Sequence, residues 1–433
     1  MAPADRFMVP DELPSSALAS GSPDASPWRT QGRAQSDFDP LTELRPDDPA
    51  RTYARLRETT PVHRSAKFGA WVLTRHADAL AVLTDASYLA DDPIARFDLL
   101  ERRGGPPLTN LRTLLANVAF FTNPPRHIQL RKFMSRLLQT SEVVAIGGAV
   151  KRRASDLIDA GRGSGRVDLA GLGRDLAVFT ISSLVGLPFE DCLELVVTGR
   201  DVAWIFDLTP TSLRQLRRAE HSAGALLDYF EAQIDRARKR QLADRFSRLV
   251  ARGEAELGLS TRELAGLITF IFNGGQESTA AGISAAAVML LQRGELRARL
   301  AVDPTEIPGA AREFLRLACP FQYVARIASR DSEIGGKAIR QGDRIMVVLA
   351  AANRDSAVFT NPDCVDPYRP GAESLAFGYG PYRCLGAVFA HMETEAALAA
   401  LLAHPGLRLA PEAVEWETGT RMPTMTRAWA EFG

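Results

Sequence analysis

Residues 262–292 hold no proline and almost no charge, and at 1.5 Å per residue they predict a helix on the order of 45 Å long. A helix that is apolar on every side must be surrounded, either by lipid or by the rest of its own chain. Its midpoint decides between the two. Asn273, Gln276 and Glu277 sit there, where amides and charge are costly in a bilayer, so the segment is expected to run buried through a protein. Gly274 and Gly275 each cost about 1 kcal/mol against alanine in a helix interior. A closely approaching ligand or a kink would offset that. Phe270 and Asn273 precede Glu277 by seven and four residues, so the three share one face and look into one space.

The remainder of the 433 residues, 46% hydrophobic, can supply the enclosing core. Lys+Arg and Asp+Glu balance at 52 each, so no global field argues for nucleic acid or an anionic membrane as partner. One neighbourhood is basic: Arg126, Arg131, Lys132, Arg136, Lys151, Arg152 and Arg153. Cys192, Cys319, Cys364 and Cys384 are widely spaced with no CxxC pair. That argues against a disulfide framework or structural zinc and suits a reducing cytoplasm. Residues 1–36 are rich in Pro, Ser, Ala and Asp without an apolar anchor, and read as a disordered tail ahead of one domain over 37–433.

Within that domain, Asp48 opens a first helix, and Pro61–Arg64 and Ala70–Thr74 form two β runs. Helical spacing resumes at Arg75, while 91–121, broken by Pro and Gly, reads as a long connection. Nearly everything from there to about 330 has helical period. A second β-rich patch covers Ala325–Ala328, Ile339 and Arg344–Leu349. The fold class expected is α+β, mainly α: many helices around one long central helix, with small β regions near each end.

The remaining signal is Phe377-Gly-Tyr-Gly-Pro-Tyr-Arg-Cys384-Leu-Gly386, followed at once by an apolar helical run. Glycines let the backbone turn sharply and approach a ligand. Freed N–H groups and the helix N-terminus then favour a thiolate at Cys384. This loop resembles that of the cytochrome P-450 family of haem-thiolate monooxygenases, in its soluble, bacterial-type branch. The resemblance implies the family's triangular single-domain fold and haem b held through Cys384, with the thiolate favouring O–O cleavage. It also implies insertion of one oxygen atom from O₂ into a medium-sized, largely apolar substrate. Electrons would come from NAD(P)H through a ferredoxin or flavodoxin and its reductase. Two other readings stay open: oxidative coupling or desaturation without oxygen insertion, and a non-catalytic haem-binding sensor or recruitment protein.

The resemblance extends to further residues. Gly274-Gly-Gln-Glu-Ser-Thr279 is similar to the oxygen-activation segment, with Glu277 as the acid, Ser278 where the family has threonine, and Thr279 as a possible substitute relay. Serine keeps the hydroxyl but loses the methyl that fixes its rotamer. His127 and Arg131, an i, i+4 pair, match a propionate-binding pair, and Arg326 matches another propionate-binding arginine. Phe377, Gly378 and Gly386 belong to the cofactor loop. The residue two before the cysteine is usually His or Arg; here it is Tyr382, which can donate one hydrogen bond but no charge. Arg383 is expected on the proximal surface with Arg131, Lys132 and Arg136, where acidic ferredoxins dock in soluble members. Glu313-x-x-Arg316 and Arg369 match a structural triad. By position in the family, Phe120, Phe121, Gln322, Val324, Met425 and parts of 88–118 and 201–212, including Trp204 and Phe206, join Phe270 and Asn273 as pocket candidates.

Overall fold

The computed structural model describes residues 50–203, 205, 212–239, 244–370, 373–412, 414–417 and 422–433. The tail over 1–36, and Trp204 and Phe206, lie outside these described residues.

The long segment is one uninterrupted helix. The helices that build the site are α1 (His76–Thr84), α2 (Arg126–Leu137), α3 (Thr140–Ala160), α4 (Leu169–Val185), α5 (Phe189–Ala203), α6 (Leu213–Lys239), α7 (Thr261–Leu291), α8 (Ile307–Ala318) and α9 (Ala387–Leu402). The central helix α7 starts with a capping box: the Ser260 hydroxyl accepts from the Glu263 N–H, and the Glu263 carboxylate accepts from the Ser260 N–H. It packs most extensively on α4. A Cβ on Gly173 of α4 would lie 2.5 Å from the Ala280 carbonyl of α7, and one on Gly275 would lie 2.9 Å from Ile181 of α4. The two backbones approach this closely because both helices carry a glycine at the crossing. Gly275 is therefore explained by packing, and no break in the helix accompanies it.

Twelve strands are described: β1 Val62–Ser65, β2 Ala70–Leu73, β3 Tyr88–Ala90, β4 Arg166–Asp168, β5 Val324–Ala328, β6 Ser332–Ile334, β7 Lys337–Ile339, β8 Arg344–Val347, β9 Leu407–Leu409, β10 Glu415–Trp416, β11 Met425–Arg427 and β12 Trp429–Phe432. The expected β runs are present as β1, β2, β5, β7 and β8, while β3, β4, β6 and β9–β12 were not anticipated. The largest sheet runs β1-β2-β8-β5-β3, antiparallel except for the β2–β8 pair. Pairing β2 with β8 ties the N-terminal β run to the C-terminal patch, in register from Ala70↔Arg344 to Leu73↔Val347. Two cores result, one around α7 and one beneath this sheet.

The stretch 91–121 departs from expectation. It contains two helices, Ile94–Arg102 and Thr109–Ala116. Their inward faces are short: Phe97 on the first, and Leu111, Leu114 and Leu115 on the second. Gly104-Gly-Pro-Pro107 separates them, which masks the helical period in a sequence window.

Glu313, Arg316 and Arg369 form one linked triad, with Glu313 and Arg316 buried and Arg369 half-buried at its edge. Arg316, 2% exposed, donates Nε and Nη2 to Glu313 at 2.7 and 2.8 Å. Its Nη1 reaches the carbonyls of Asn353 and Pro362 at 2.8 and 2.7 Å. Arg369 Nε donates to Glu313 Oε2 at 2.8 Å, and both arginines bond the Cys364 carbonyl. Asn353 continues the chain of bonds, its Oδ1 accepting from the Leu375 N–H at 2.7 Å. Two charged forks thus pin the irregular segment that leads into Phe377. Burial alone would raise the Glu313 pKa; the two arginines outweigh it and hold the carboxyl below the usual range.

Candidate functional site: a thiolate cavity under the central helix

Leu375 to Gly386 fold back on themselves through backbone bonds, the Cys384 N–H donating to the Phe377 carbonyl at 2.8 Å and the Gly378 N–H to Leu375 at 2.9 Å. Gly378 and Gly380 both take φ of +66°, and a Cβ on Gly380 would sit 2.4 Å from the Leu83 carbonyl of α1. Gly386 differs from its expected part. Its φ of −83° is open to any residue, and it serves as the N-cap of α9. No side chain caps this helix start. The Gly386 and Ala387 N–H groups bond the Cys384 sulfur instead, with Arg131 and Arg383 nearby. Burial is still the larger influence and pushes the thiol pKa up. The sulfur opens onto a cavity rather than the outer surface, so it is accessible and yet surrounded by protein.

That cavity, about 290 Å³, is bounded by the cysteine loop on one side and α7 on the other. Glu277, Ser278 and Thr279 all line it, as do Phe270, Asn273, Phe120 and Val324. Gly274 faces the same space; only the Phe270 ring edge, at 4.0 Å, would meet a Cβ there. The Ser278 hydroxyl donates to the Gly274 carbonyl at 3.3 Å, one turn back. Arg131, Arg326, Phe377, Gly378, Tyr382 and Gly386 complete the lining expected for the cofactor.

Four expectations are corrected by contacts. Gln322 does not reach the cavity: Tyr53 donates to its Oε1, and its Nε2 donates to the Cys319 and Ala318 carbonyls at 2.7 and 3.3 Å. Phe121 packs edge-on to Phe120 at 5.1 Å, one layer behind the wall. Met425, on β11, is buried in the larger core. His127 stands back from the cavity, with Nδ1 2.9 Å from the Ala119 carbonyl and Nε2 3.1 Å from the Pro381 carbonyl. It clamps α2 to the cysteine loop. No residue of 88–118 lines the cavity; Leu83, Ala119 and Ala203 do.

Sequence reasoning missed Thr180 and Ile181 of α4, Gly199 of α5, Pro320, Phe321 and Glu393 in the wall. Glu393 had a weak signal: a carboxylate one helical turn after Phe389 and Ala390, on their face of α9. It is 2% exposed, and among the described residues its Oε2 has no partner. Thr180, whose hydroxyl donates to the Leu176 carbonyl at 3.0 Å, is the polar side chain beside it. Burial raises the Glu393 pKa well above 4.5. The sign follows. The native state keeps a proton that the unfolded chain loses, so stability falls as pH rises above the unfolded value. Glu393→Gln, which has no such proton, should gain on wild type with rising pH, by up to about 1.4 kcal/mol per unit. Urea unfolding of both proteins at acid and alkaline pH tests this; a pH-independent difference contradicts it.

The residues fit a haem. A single soft thiolate faces the cavity, and among the described residues no cluster of three metal-ligating side chains competes with it. Arg131 and Arg326 bring positive charge to a mainly apolar space, and among the described residues no carboxylate pairs with either. Burial lowers the pKa of both, that of Arg326 to about 10. A ligand that carries its own anionic groups answers that deficit.

On the outer side of the loop, charge is more balanced than the sequence implies. Arg136 pairs with Glu256 at 2.9 Å and Arg383 with Glu373 at 2.7 Å. Arg131 turns inward, donating to the Arg383 carbonyl at 2.8 Å. Lys132 stays exposed, and Ile128 and Val388 are exposed beside the loop.

Comparison with known proteins agrees with this geometry. A model of the Cytochrome P450 family matches residues 200–421. The chain is 34% identical over 406 residues to Nocardicin C N-oxygenase of Nocardia uniformis subsp. tsuyamanensis, covering 90% of this chain and 96% of that protein. It is 31% identical over 377 residues to Mycinamicin IV hydroxylase/epoxidase of Micromonospora griseorubida, covering 85% and 91%. The solved structure of CalO2 is similar at a TM-score of 0.82 with 30% identity, covering 92% of this chain and 98% of that one. Among the described residues no single helix is long and apolar enough to cross a membrane. With a lone thiolate facing the Glu277–Ser278 turn across an apolar cavity, and with relatives that match along nearly their whole length, the chain belongs to the cytochrome P450 family and is a bacterial-type P450 monooxygenase.

Proposed function

We propose that this monooxygenase oxidises a medium-sized, largely apolar small molecule, with electrons drawn from NAD(P)H through a ferredoxin or flavodoxin and its reductase. The observation that supports the substrate class is the cavity wall: Phe120, Phe270 and Val324 are apolar, and the polar groups that α7 adds are Asn273, Gln276 and the Glu277–Thr279 turn. A screen of compound classes against the ferric protein, read by the Soret shift on binding, tests it. Apolar ligands of drug-like size should shift the band, and a response confined to small polar compounds contradicts the reading.

Haem bound at Cys384 supplies the oxygen chemistry, and the thiolate favours O–O cleavage. The protein's own residues do the rest. Gly386 and Ala387 N–H groups favour the anionic form of the sulfur against the opposing effect of burial, and Arg131 and Arg326 would hold the cofactor's acidic edge. Ser278 keeps its proton on the Gly274 carbonyl at 3.3 Å, a long bond that one χ1 rotation redirects into the cavity. Glu277, next along the same turn, is the acid that replaces that proton. Ser278→Ala should lower product per electron pair by about tenfold or more, at the modest end of acid–base contributions, with peroxide released in its place. Unchanged coupling would show that Thr279 or water relays the proton.

Exposed Lys132, one helical turn after exposed Ile128 on α2, supports electron delivery at the cysteine face. Lys132→Glu should slow reduction by an acidic ferredoxin at low ionic strength, and the difference should shrink in salt. A salt-independent rate in both proteins contradicts this docking site.

A further inference from the structure

We propose that Tyr382 is a positioning residue: it holds Arg326 toward the cofactor's anionic edge and does not bond that edge itself. This rests on the haem reading above. The Tyr382 ring contacts two side chains, with the His127 ring centroid 4.1 Å away and the Arg326 guanidinium carbon 4.5 Å from its own centroid. Its hydroxyl points away from the cavity wall, into the turn before α2. There Asn123 Oδ1 lies at 2.8 Å and the Thr122 carbonyl at 3.1 Å, and both are acceptors. Asn123 Oδ1 is itself fixed by the Ala90 N–H at 2.9 Å. The one O–H that Tyr382 owns is therefore committed to the protein.

His127 is committed as well, each ring nitrogen facing a backbone carbonyl. Neither residue keeps a donor for a ligand. Arg326 does. It is 3% exposed and lines the cavity, and its one hydrogen bond to protein among the described residues runs from Nη1 to the Ala325 carbonyl at 2.7 Å. A guanidinium has five N–H donors in a fixed plane, so most of its capacity remains. The aromatic face of Tyr382 sets the direction of that plane, and the His127 ring packs against the same tyrosine. A basic side chain at 382 would have repelled Arg326 at this distance; a tyrosine attracts it.

The test is a double-mutant cycle on haem retention. Wild type, Arg326→Leu, Tyr382→Leu, Tyr382→Phe and the Arg326→Leu/Tyr382→Leu pair are loaded with haem, and its loss to excess apomyoglobin is timed. Tyr382→Leu should speed loss roughly threefold to thirtyfold, the range a desolvated cation–π contact spans. Tyr382→Phe, which keeps the ring, should lie closer to wild type. The double variant should lose haem no faster than Arg326→Leu alone, because Tyr382 acts through Arg326. Should Tyr382→Leu fail to fold, Tyr382→Met fills the space without an aromatic face and carries the same expectation. Additive effects, or a Tyr382→Leu variant as slow as wild type, overturn the proposal and leave the haem reading intact. A wild type that takes up no haem overturns both.

Discussion

Glu313→Ala is expected to destabilise the protein by about 3–5 kcal/mol, because it leaves the Arg316 guanidinium buried beside an empty counter-charge. Arg316 is 2% exposed, with Glu313 as its carboxylate partner. Arg369 shares that carboxylate at 2.8 Å and would be released at the same time. Arg316 cannot be rescued by water at such depth, and neither arginine readily gives up its proton. The damage should reach the cofactor loop, since the Arg316 bonds to the Asn353, Pro362 and Cys364 carbonyls hold the approach to Phe377. Haem retention should therefore fall with stability.

The pH dependence has a definite sign. The Glu313 carboxyl is held below its ordinary range, so its contribution is complete above the unfolded value and disappears as pH falls through the folded one. The gap between wild type and Glu313→Ala should close in acid. Urea unfolding across that range reads it. A loss under about 1 kcal/mol at neutral pH, the range of an exposed pair, contradicts this account of the triad.

Cys384→Ser carries the second large effect: loss of detectable turnover with the fold retained. Serine keeps the size and the acceptor that the Gly386 and Ala387 N–H groups require, and the turn is set by Gly378 and Gly380. What disappears is the soft, electron-donating ligand. Melting temperature should stay near wild type while product formation vanishes. Turnover that survives the exchange would move the cofactor's ligand elsewhere in the chain.

These two positions were legible in the sequence for the same reason: spacing within a turn or a loop determines them. Glu313 and Arg316 are one helical turn apart, and Cys384 sits at a fixed place among glycines. The central helix was legible to within a residue at each end, because its apolar run is long and Ser260 and Glu263 cap it. Contacts between distant segments were not legible. Gln322 was expected in the cavity, but Tyr53, far away in sequence, takes its amide oxygen. His127 occupies the predicted turn of α2, yet Ala119 and Pro381 carbonyls take both its nitrogens. A motif fixes where a backbone passes; it does not fix which groups from other segments arrive first. Glu393 shows the converse. Its helix was anticipated, but its isolation depends on distant segments that cover it, Thr180 of α4 among them.

The most direct test of the whole account is the absorption spectrum of the purified wild-type protein, reduced and exposed to carbon monoxide. A strongly red-shifted Soret band, lost in Cys384→Ser, is the result expected if Cys384 holds the haem through its sulfur. A band at the position given by imidazole-ligated haem, or one that persists in the serine variant, would contradict it.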